Sequence, residues 1–425
     1  MTQAELGVSA LDKTVAELPR GLTISLGATI AAPLPALDVA PSATRPSLKT
    51  TNSSVLPRID KGADGARLVP SEGRRYEPVK TLGRGGMGEV ELVEDRDIGR
   101  SVALKRLLGE AHGPPAVARF VDEVRTIGRL EHPNIIPIHD VGVDDNGALF
   151  FVMKYVEGET LESVIERIKA GDPATLREYD ITRRVEIFVG VLRALHFAHE
   201  KGVIHRDIKP ANVMIGRFGE VVLMDWGVAR PVGGSREGNA ADPSALVTAD
   251  GRASATSFGA LIGTPLYMSP EQARGQNDAL DARSDLFSAC VMFHELLNAG
   301  HHRYEDAKTL PALLVAIQTT EPAGVTRMFR SDAGAGPEYG HFLRRGLRLA
   351  PAERWTSAHE MIEELHAILD GRCRVQCMAT FSKRMTRGAG HFVDKSPRIA
   401  ISLMLLTILV VLGLAANGVR DLLGG

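Results

Sequence analysis

The run His-Arg-Asp-Ile-Lys-Pro-Ala-Asn at residues 205–212 places three chemically different side chains at a short, fixed spacing. The carboxylate of Asp207 can accept the proton of an attacking hydroxyl group, and the ammonium of Lys209 can neutralise charge on a moving phosphate. The side-chain oxygen of Asn212 can hold a magnesium ion. Because residues of these types also recur by chance, the run gains its meaning from the other motifs that accompany it in order along the chain.

A glycine-rich segment lies upstream of this run. Glycines allow backbone N–H groups to approach a phosphate without an intervening Cβ. The same pattern can open a Rossmann unit, but there it runs directly into a helix. Here it continues into two apolar runs, Val90–Val93 and Val102–Lys105, separated by a polar turn, which predicts strand–turn–strand. The residues predicted to bind nucleotide in this segment are Leu82, Gly83, Arg84, Gly85, Gly86, Met87, Gly88, Glu89 and Val90.

Two charged residues after the glycine-rich segment are candidates for holding the nucleotide in place. Lys105 ends the second predicted strand, where its ammonium can bridge the α- and β-phosphates. Glu123 lies on a predicted helix over residues 116–130, whose apolar residues recur every three to four positions. Its carboxylate can pair with Lys105 and fix the ammonium. The alternative is that Glu123 is a solvated helix residue like its neighbour Asp122.

Further motifs follow the 205–212 run. A short apolar strand precedes Asp225-Trp226-Gly227, and the carboxylate of Asp225 can join Asn212 in holding a metal ion. Residues 263–271 then read Gly-Thr-Pro-Leu-Tyr-Met-Ser-Pro-Glu. Two further charged residues come later: Asp285 ends the run Asp-Ala-Arg-Ser-Asp at 281–285, and Arg354 ends the run Pro-Ala-Glu-Arg at 351–354.

In this order, the motifs resemble those of bacterial-type (Hanks-type) serine/threonine protein kinases, from about Tyr76 to Leu369. The resemblance implies an α+β, bilobal kinase domain over 75–370, with a small β-rich N-lobe (75–153) and a larger helical C-lobe (154–370). It also implies ATP and Mg²⁺ as cofactors. The expected reaction is transfer of the γ-phosphate to Ser/Thr hydroxyls of protein substrates, in membrane-proximal signalling.

The resemblance also assigns roles to residues around the nucleotide. Glu123 matches the glutamate of helix C that pairs with the lysine, here Lys105. Lys154 and Val156 lie in the predicted hinge and would meet adenine through backbone groups. Asp225 matches the metal-binding carboxylate of the Asp-Phe-Gly motif, in which Trp226 replaces phenylalanine. The larger indole bears on how readily this motif flips to an inactive packing.

The segment 263–271 resembles the peptide-binding segment of the family, with Ser-Pro-Glu in place of Ala-Pro-Glu. Arg354 is then expected to be the buried partner of Glu271, and Lys209 and Thr264 favour Ser/Thr over Tyr acceptors. Arg206 is expected to pair with a phosphate that autophosphorylation places on the activation segment. The candidate phosphorylation sites are Ser254, Thr256 and Ser257, of which Thr256 best matches the family.

Two other functions compete with this interpretation. A pseudokinase scaffold would bind partners without transferring phosphate, but such proteins typically lose the counterparts of Lys105, Asp207 or Asp225, and this chain has all three. A kinase that acts on a small molecule usually lacks a segment like 263–271.

Composition narrows the remaining classes of function. The formal net charge of −2 gives no support for nucleic-acid binding. Three cysteines are too few and too scattered for a disulfide framework, which suits a reducing compartment. Cys373 and Cys377 could form half of a metal site, but no second Cys/His pair follows at ligand spacing.

The N-terminal part of the chain differs in composition from the kinase-like region. Residues 1–74 are rich in Ala, Pro, Ser and Thr and show no sustained periodicity, which predicts a disordered leader. Residues 20–32 weakly imitate the core of a signal peptide, but Gly, Ser and Thr dilute it and the residues before it are not enriched in basic charge. Export would also separate a kinase from ATP.

The C-terminal part predicts a membrane anchor. Residues 399–419 carry no charge, and about 20 such residues span the hydrocarbon core as a helix. The preceding linker, 371–398, holds seven Lys and Arg residues against a single acid, Asp394, and therefore lies in the cytosol by the positive-inside rule. Residues 420–425 form an extracytoplasmic tail. The predicted protein is thus single-pass in the cytoplasmic (inner) membrane, with a cytosolic kinase domain and a possible homodimer for autophosphorylation between copies.

Overall fold

The computed structural model describes most of the kinase-like region of the chain. The described residues are 58–62, 65–69, 74–85, 88–107, 114–226, 230–231, 265–331 and 333–372, together with 380, 401–402 and 408–409.

A short hairpin lies inside the segment that composition assigns to a disordered leader. Strands β1 (Arg58–Gly62) and β2 (Gly65–Val69) pair antiparallel, from Arg58 opposite Val69 to Gly62 opposite Gly65. The structure therefore differs from the prediction over the described residues 58–62 and 65–69, because the composition of a long segment does not detect two paired five-residue strands within it.

A five-stranded antiparallel sheet forms the N-lobe, with strand order β3-β4-β5-β7-β6. The apolar residues of its strands alternate between two faces, as the pleat requires. Val102 and Leu104 of β5 pack with Tyr76 on one face of the sheet. On the other face Leu107 packs with Phe120, which lies on helix α1 (Pro114–Ile127). The elements are β3 (Tyr76–Gly85), β4 (Gly88–Asp95), β5 (Arg100–Leu107), α1 (Pro114–Ile127), β6 (Ile138–Val143) and β7 (Leu149–Lys154).

This sheet confirms the strand–turn–strand prediction for the glycine-rich segment. β4 and β5 pair antiparallel, from Gly88 opposite Leu107 to Asp95 opposite Arg100. Lys105 shares the face of β5 that bears Leu107, because residues two apart in a strand point the same way. That face is the one against which α1 packs.

Helices make up most of the C-lobe. Its core includes α4 and α6, whose Phe188 and Phe293 rings stack with centroids 4.0 Å apart. The apolar residues Phe188, Leu192, Leu195 and Ala198 recur at helical spacing and predict a helix over 184–200. The helix begins earlier, at Ile181, because the side chain of Asp180 caps it by accepting from the N–H of Arg183. The helices are α2 (Leu161–Lys169), α3 (Pro173–Glu178), α4 (Ile181–Glu200), α5 (Pro270–Ala273), α6 (Ala282–Leu297), α7 (Leu310–Thr319), α8 (Pro337–Gly346) and α9 (Ala358–Leu369).

Short strands at the edge of the C-lobe place the predicted site residues. One sheet has the order β11-β10-β8, and β12 pairs with β9. In the β10–β11 hairpin Val213 lies opposite Leu223, and the N–H of Met224 donates to the carbonyl of Asn212 over 2.8 Å. Asn212 is therefore next to the residue that precedes Asp225. The strands are β8 (Gly158–Thr160), β9 (Val203–Ile204), β10 (Val213–Gly216), β11 (Val221–Leu223) and β12 (Arg230–Pro231).

A buried ion pair confirms the predicted partnership of Glu271 and Arg354. The two Nη atoms of Arg354 donate to Oε1 and Oε2 of Glu271 over 2.7 and 2.8 Å, and the Ser284 hydroxyl donates to Oε1 over 2.6 Å. Burial alone would raise the pKa of Glu271, but the guanidinium and the hydroxyl outweigh it and lower that pKa. The pair fastens the short helix α5 to the segment before α9.

The predicted membrane anchor falls on a part of the chain that this structure barely covers. No helix built from the described residues is both long enough and apolar enough to cross a membrane. Of the span 399–419, only 401–402 and 408–409 are described, and of the linker 371–398 only 371, 372 and 380. The anchor therefore stays a prediction from sequence, as does the tail at 420–425.

Candidate active site

The residues predicted to carry the chemistry of the 205–212 run lie within hydrogen-bonding distance of one another. Lys209 Nζ donates to Oδ2 of Asp207 over 2.6 Å. The side-chain amide of Asn212 donates to the same Oδ2 over 3.1 Å and to the Asp207 carbonyl over 2.8 Å. These three side chains therefore form one cluster around the carboxylate of Asp207, as their spacing in the sequence predicts.

The backbone before Asp207 is held by Asp285, which lies on α6. Oδ2 of Asp285 accepts from the N–H of His205 and Oδ1 accepts from the N–H of Arg206, each over 2.8 Å. Arg206 has a φ of +71°, a conformation that L-residues with a side chain rarely adopt. The carboxylate thus stabilises a strained backbone directly before the catalytic candidate.

Asp285 is itself 1% exposed. A histidine that lies outside the sequence motifs donates a hydrogen bond to its carboxylate. The Nε2–H of His199 donates to Oδ2 of Asp285 over 2.8 Å. Burial alone would raise the pKa of Asp285, but the hydrogen bonds from the His199 ring and from the backbone N–H of His205 outweigh it and lower that pKa. No local signal marks His199, because its partner is 86 residues away.

Lys105 and Glu123 form the predicted ion pair, and both side chains are largely buried. Lys105 Nζ donates to Oε1 of Glu123 over 2.6 Å and lies 3.7 Å from Oδ1 of Asp225. Glu123 is 5% exposed, so the alternative of a solvated helix residue is wrong. Burial alone would lower the pKa of Lys105, but the two carboxylates outweigh it and raise that pKa, which keeps the side chain an ammonium.

His205 connects the catalytic run to the second metal candidate. Its Nδ1 accepts from the N–H of Asp207 over 3.3 Å, and its Nε2–H donates to the carbonyl of Met224 over 3.0 Å. Its ring lies 4.5 Å from that of Trp226, which is fully buried. Asp225, which lies between Met224 and Trp226 in the chain, has a φ of +58°. The backbone is therefore strained at Asp225 itself and at Arg206, the residue before Asp207.

The donor set at Asn212 and Asp225 fits a magnesium ion. Both side-chain hydrogen bonds of Asn212 use its amide nitrogen, so its oxygen remains as a potential ligand. The Asp225 side chain is 41% exposed and can offer a carboxylate oxygen. Among the described residues, no group of three or more His, Cys, Asp and Glu side chains is placed to hold a metal. Mg²⁺ suits such a sparse protein site, because it usually takes one or two protein oxygens together with substrate phosphates and water.

The glycine-rich segment and the hinge provide the rest of the predicted nucleotide site. A Cβ on Gly88 would overlap the carbonyl oxygen of Arg106, so close strand packing requires glycine there. A Cβ on Gly83 would meet no atom of the described residues within 4 Å. In the hinge, the N–H of Lys154 donates to the carbonyl of Pro137 over 3.1 Å. This leaves the backbone of Val156 as the candidate hydrogen-bond donor to adenine.

Some predicted site residues lie outside the described part of the chain. These are Gly86 and Met87 of the glycine-rich segment, Thr264, and the candidate phosphorylation sites Ser254, Thr256 and Ser257. Gln272 was not among the predicted site residues, yet it contacts the catalytic loop (residues 205–212). Its Nε2 donates to the carbonyl of Arg206 over 2.8 Å. The spacing of Ser269 and Gln272 is that of a capping box, which indicates the start of a helix but not the contact with Arg206.

The β-sheet N-lobe, the helical C-lobe and the assembled lysine, aspartate and asparagine residues define the class of the protein as a protein kinase domain. The family model described as "Protein kinase domain" matches residues 76–366. The chain therefore belongs to the protein kinase family, and its similarity to known proteins places it among the bacterial serine/threonine kinase domains.

Three curated relatives illustrate this similarity. A probable serine/threonine-protein kinase of Streptomyces coelicolor is 35% identical over 333 residues, covering 77% of this chain and 45% of that protein. Serine/threonine-protein kinase PknB of Mycolicibacterium smegmatis is 31% identical, covering 83% and 55%. PknD of Protochlamydia amoebophila is 30% identical, covering 74% and 32%. The chain thus spans between about a third and about half of the length of these relatives.

Replacing Asp285 tests whether its charge holds the catalytic loop. Asp285→Asn puts an amide N–H₂ where the carboxylate now accepts three N–H groups, and we expect the free energy of unfolding to fall by about 3 kcal/mol. Urea denaturation measures this loss, and hydrogen exchange should accelerate at residues 205 and 206. The exposed Asp278→Asn is the control and should change stability by less than about 0.5 kcal/mol. Equal stability of the two variants would contradict the assigned role.

Proposed function

We propose that this chain is an ATP- and Mg²⁺-dependent serine/threonine protein kinase. The observation that carries the proposal is the complete set of charged contacts at one site. Lys105 bonds Glu123 and lies 3.7 Å from Asp225, and Asp207 is intact and bonded to Lys209 and Asn212. A scaffold that had lost phosphoryl transfer would have no need to preserve all of these groups.

Binding of the nucleotide would rest on the charged groups that meet at Lys105 and on the neighbouring oxygens of Asn212 and Asp225. Lys105 would present its ammonium to the phosphates, with Glu123 holding it in position. Asn212 and Asp225 would hold the metal through their side-chain oxygens. When bound, ATP with Mg²⁺ supplies the transferable phosphoryl group and part of the charge neutralisation that the reaction needs.

Asp207 would orient the acceptor hydroxyl group and take up its proton. Lys209 and Asn212 both donate to Oδ2 of Asp207, which leaves Oδ1 for the acceptor. Lys209 would balance the charge that develops on the phosphoryl oxygens. Catalysis then depends on positioning and on charge stabilisation by groups that are already in place.

The proposed roles of Asp207 and Lys105 predict different losses. Asp207→Asn should lower kcat by about 10²–10⁴-fold and leave ATP binding nearly unchanged, because this carboxylate does not hold the nucleotide. Lys105→Met should lower kcat by about 10²-fold or more, because the phosphates lose their positioning cation. Transfer of labelled phosphate to a generic protein acceptor, together with calorimetry for ATP, measures both effects.

The exposed helix residue Glu166 gives the control variant Glu166→Gln. Autophosphorylation retained by Asp207→Asn would refute the assignment, and an inactive wild-type protein would favour the scaffold alternative.

We further infer that the kinase phosphorylates its own activation segment. Arg206 directly precedes Asp207 and its backbone is fixed by Asp285, so a phosphate paired with its guanidinium would lie beside the catalytic loop. The sequence supports Ser254, Thr256 and Ser257 as acceptors, and two copies of the chain could phosphorylate each other.

Mass spectrometry tests this self-phosphorylation. Wild-type protein should carry phosphate within residues 235–257, and the Asp207→Asn variant expressed alone should carry none there. Mixing the variant with active wild type should restore phosphate on the variant if transfer occurs between copies. Active wild-type protein that lacks phosphate in this segment would contradict the inference.

We also propose that residues 399–419 anchor the kinase in the cytoplasmic membrane, with the catalytic domain in the cytosol. The support is the absence of charge over this span and the seven basic residues that precede it in 371–398. These basic residues would also attract anionic headgroups. Because the anchor would confine the enzyme to a surface, neighbouring copies and membrane-proximal proteins become its favoured substrates.

Fractionation of cells tests the anchor. The full chain should remain with membranes after carbonate extraction, whereas a chain ending at Gly371 should be found in the soluble fraction and stay active. The family match ends at residue 366, so this truncation leaves the kinase domain whole. A full-length protein in the soluble fraction, or a C-terminus accessible from the cytosol, would contradict the proposed topology.

A further inference from the structure

We propose that Gln272 is a positioning residue for Asp207, acting through the peptide bond between Arg206 and Asp207. It would transmit the order of the segment around Ser269 directly to the catalytic carboxylate. The inference rests on the proposed kinase activity for one of its measurements, and a second measurement is independent of activity.

The side-chain amide of Gln272 bridges two parts of the chain. Its Nε2 donates to the carbonyl of Arg206 over 2.8 Å, across a separation of 66 residues. Its Oε1 accepts from the backbone N–H of Ser269 over 2.9 Å and from the Ser269 hydroxyl over 3.1 Å. One planar group therefore joins the start of α5 to the catalytic loop.

The chemistry of the two partners fixes the orientation of this amide. A backbone carbonyl can only accept a hydrogen bond, and a backbone N–H can only donate one. The nitrogen of Gln272 must therefore face Arg206, and its oxygen must face Ser269. A carboxylate of the same shape can satisfy Ser269 but not the carbonyl of Arg206, so glutamine is suited to this bridge where glutamate is not.

The bond falls on the peptide unit that sets the direction of Asp207. The carbonyl of that unit accepts from Gln272, and its N–H, which belongs to Asp207, donates to Nδ1 of His205 over 3.3 Å. The N–H of Arg206 is meanwhile held by Asp285 over 2.8 Å. Arg206 has a φ of +71°, and such a conformation persists only where its surroundings stabilise it. Without Gln272, the carbonyl side of this peptide unit loses its support and the peptide can rotate, which moves the Asp207 side chain.

The other end of the bridge is firmly anchored. Glu271, next to Gln272, is held by the bidentate contact with Arg354, and Ser269 is fully buried. Residues 265–271 belong to the segment 263–271, which resembles the peptide-binding segment of the family. An acceptor bound to this segment would thus be joined to the peptide before Asp207 through the side chain of Gln272.

A single substitution separates this role from the capping of α5. Gln272→Glu keeps an oxygen for Ser269, and glutamate at this third helical position is itself a favoured capping-box residue. The substitution removes the donor to Arg206 and adds a negative charge. Gln318→Glu, on α7, is the matched control. Nε2 of Gln318 donates to the carbonyl of Ala273 over 3.1 Å, so it also bonds the short helix α5, but away from the catalytic loop. Gln272→Met removes the donor without adding charge.

The measurements are steady-state kinetics of phosphate transfer and hydrogen exchange of residues 205–208, on the full chain. We expect kcat of Gln272→Glu and of Gln272→Met to fall about tenfold, with KM for ATP unchanged. We expect exchange of the loop to be faster in both variants. Gln318→Glu should match the wild type within about twofold in kcat and in exchange.

Two outcomes would overturn the inference. The first is equal kcat and equal exchange in the Gln272 and Gln318 variants. The second is a wild-type kcat for Gln272→Met, which would show that only the added charge disturbs the site. If the wild-type protein transfers no phosphate, the proposed function fails, but the exchange of residues 205–208 still decides whether Gln272 holds the loop.

Discussion

The buried carboxylate of Asp285 is the interaction on which the catalytic geometry depends. A carboxylate out of water costs several kcal/mol unless hydrogen bonds satisfy it, and here the backbone N–H groups of His205 and Arg206 and the ring of His199 do so. Because two of these donors are backbone groups, the charge fixes the course of the chain itself. The imidazole of His205 then reaches the carbonyl of Met224, so the same anchor extends to the residue before Asp225.

The charged groups of the two lobes meet at Lys105. Its ammonium belongs to the N-lobe sheet, one of its carboxylates belongs to α1, and the other, Asp225, follows the C-lobe strand β11. The contact with Glu123 is short at 2.6 Å and buried, whereas that with Asp225 is longer at 3.7 Å and partly exposed. The structure therefore holds the ammonium firmly on one side and leaves its contact on the other side partly exposed. Under the proposed function, the exposed side is the one that would receive the phosphates of the nucleotide.

Much of the fold followed from local patterns, and the exceptions have local physical causes. The strand–turn–strand after the glycine-rich segment was predictable because two short apolar runs and a polar turn lie close together in sequence. The start of α4 was misplaced by three residues, since the cap at Asp180 precedes the apolar periodicity. The strand pair 58–62 and 65–69 was missed because its two strands are short and lie in a segment that was interpreted from its overall composition.

The sequence alone determined which chemical groups this protein has for its reaction and, for Asp207, Lys209 and Asn212, their mutual spacing, because short separations along a chain restrict distance directly. The family resemblance correctly predicted the pairs Lys105–Glu123 and Glu271–Arg354. Only the tertiary structure showed that Asp285 holds the backbone at 205–206 and that Gln272 meets the carbonyl of Arg206. Those bonds join residues 66 to 80 positions apart, and one partner in each is a backbone atom that every residue possesses. Such a contact leaves no signature in residue types, since it depends on where packing places the main chain.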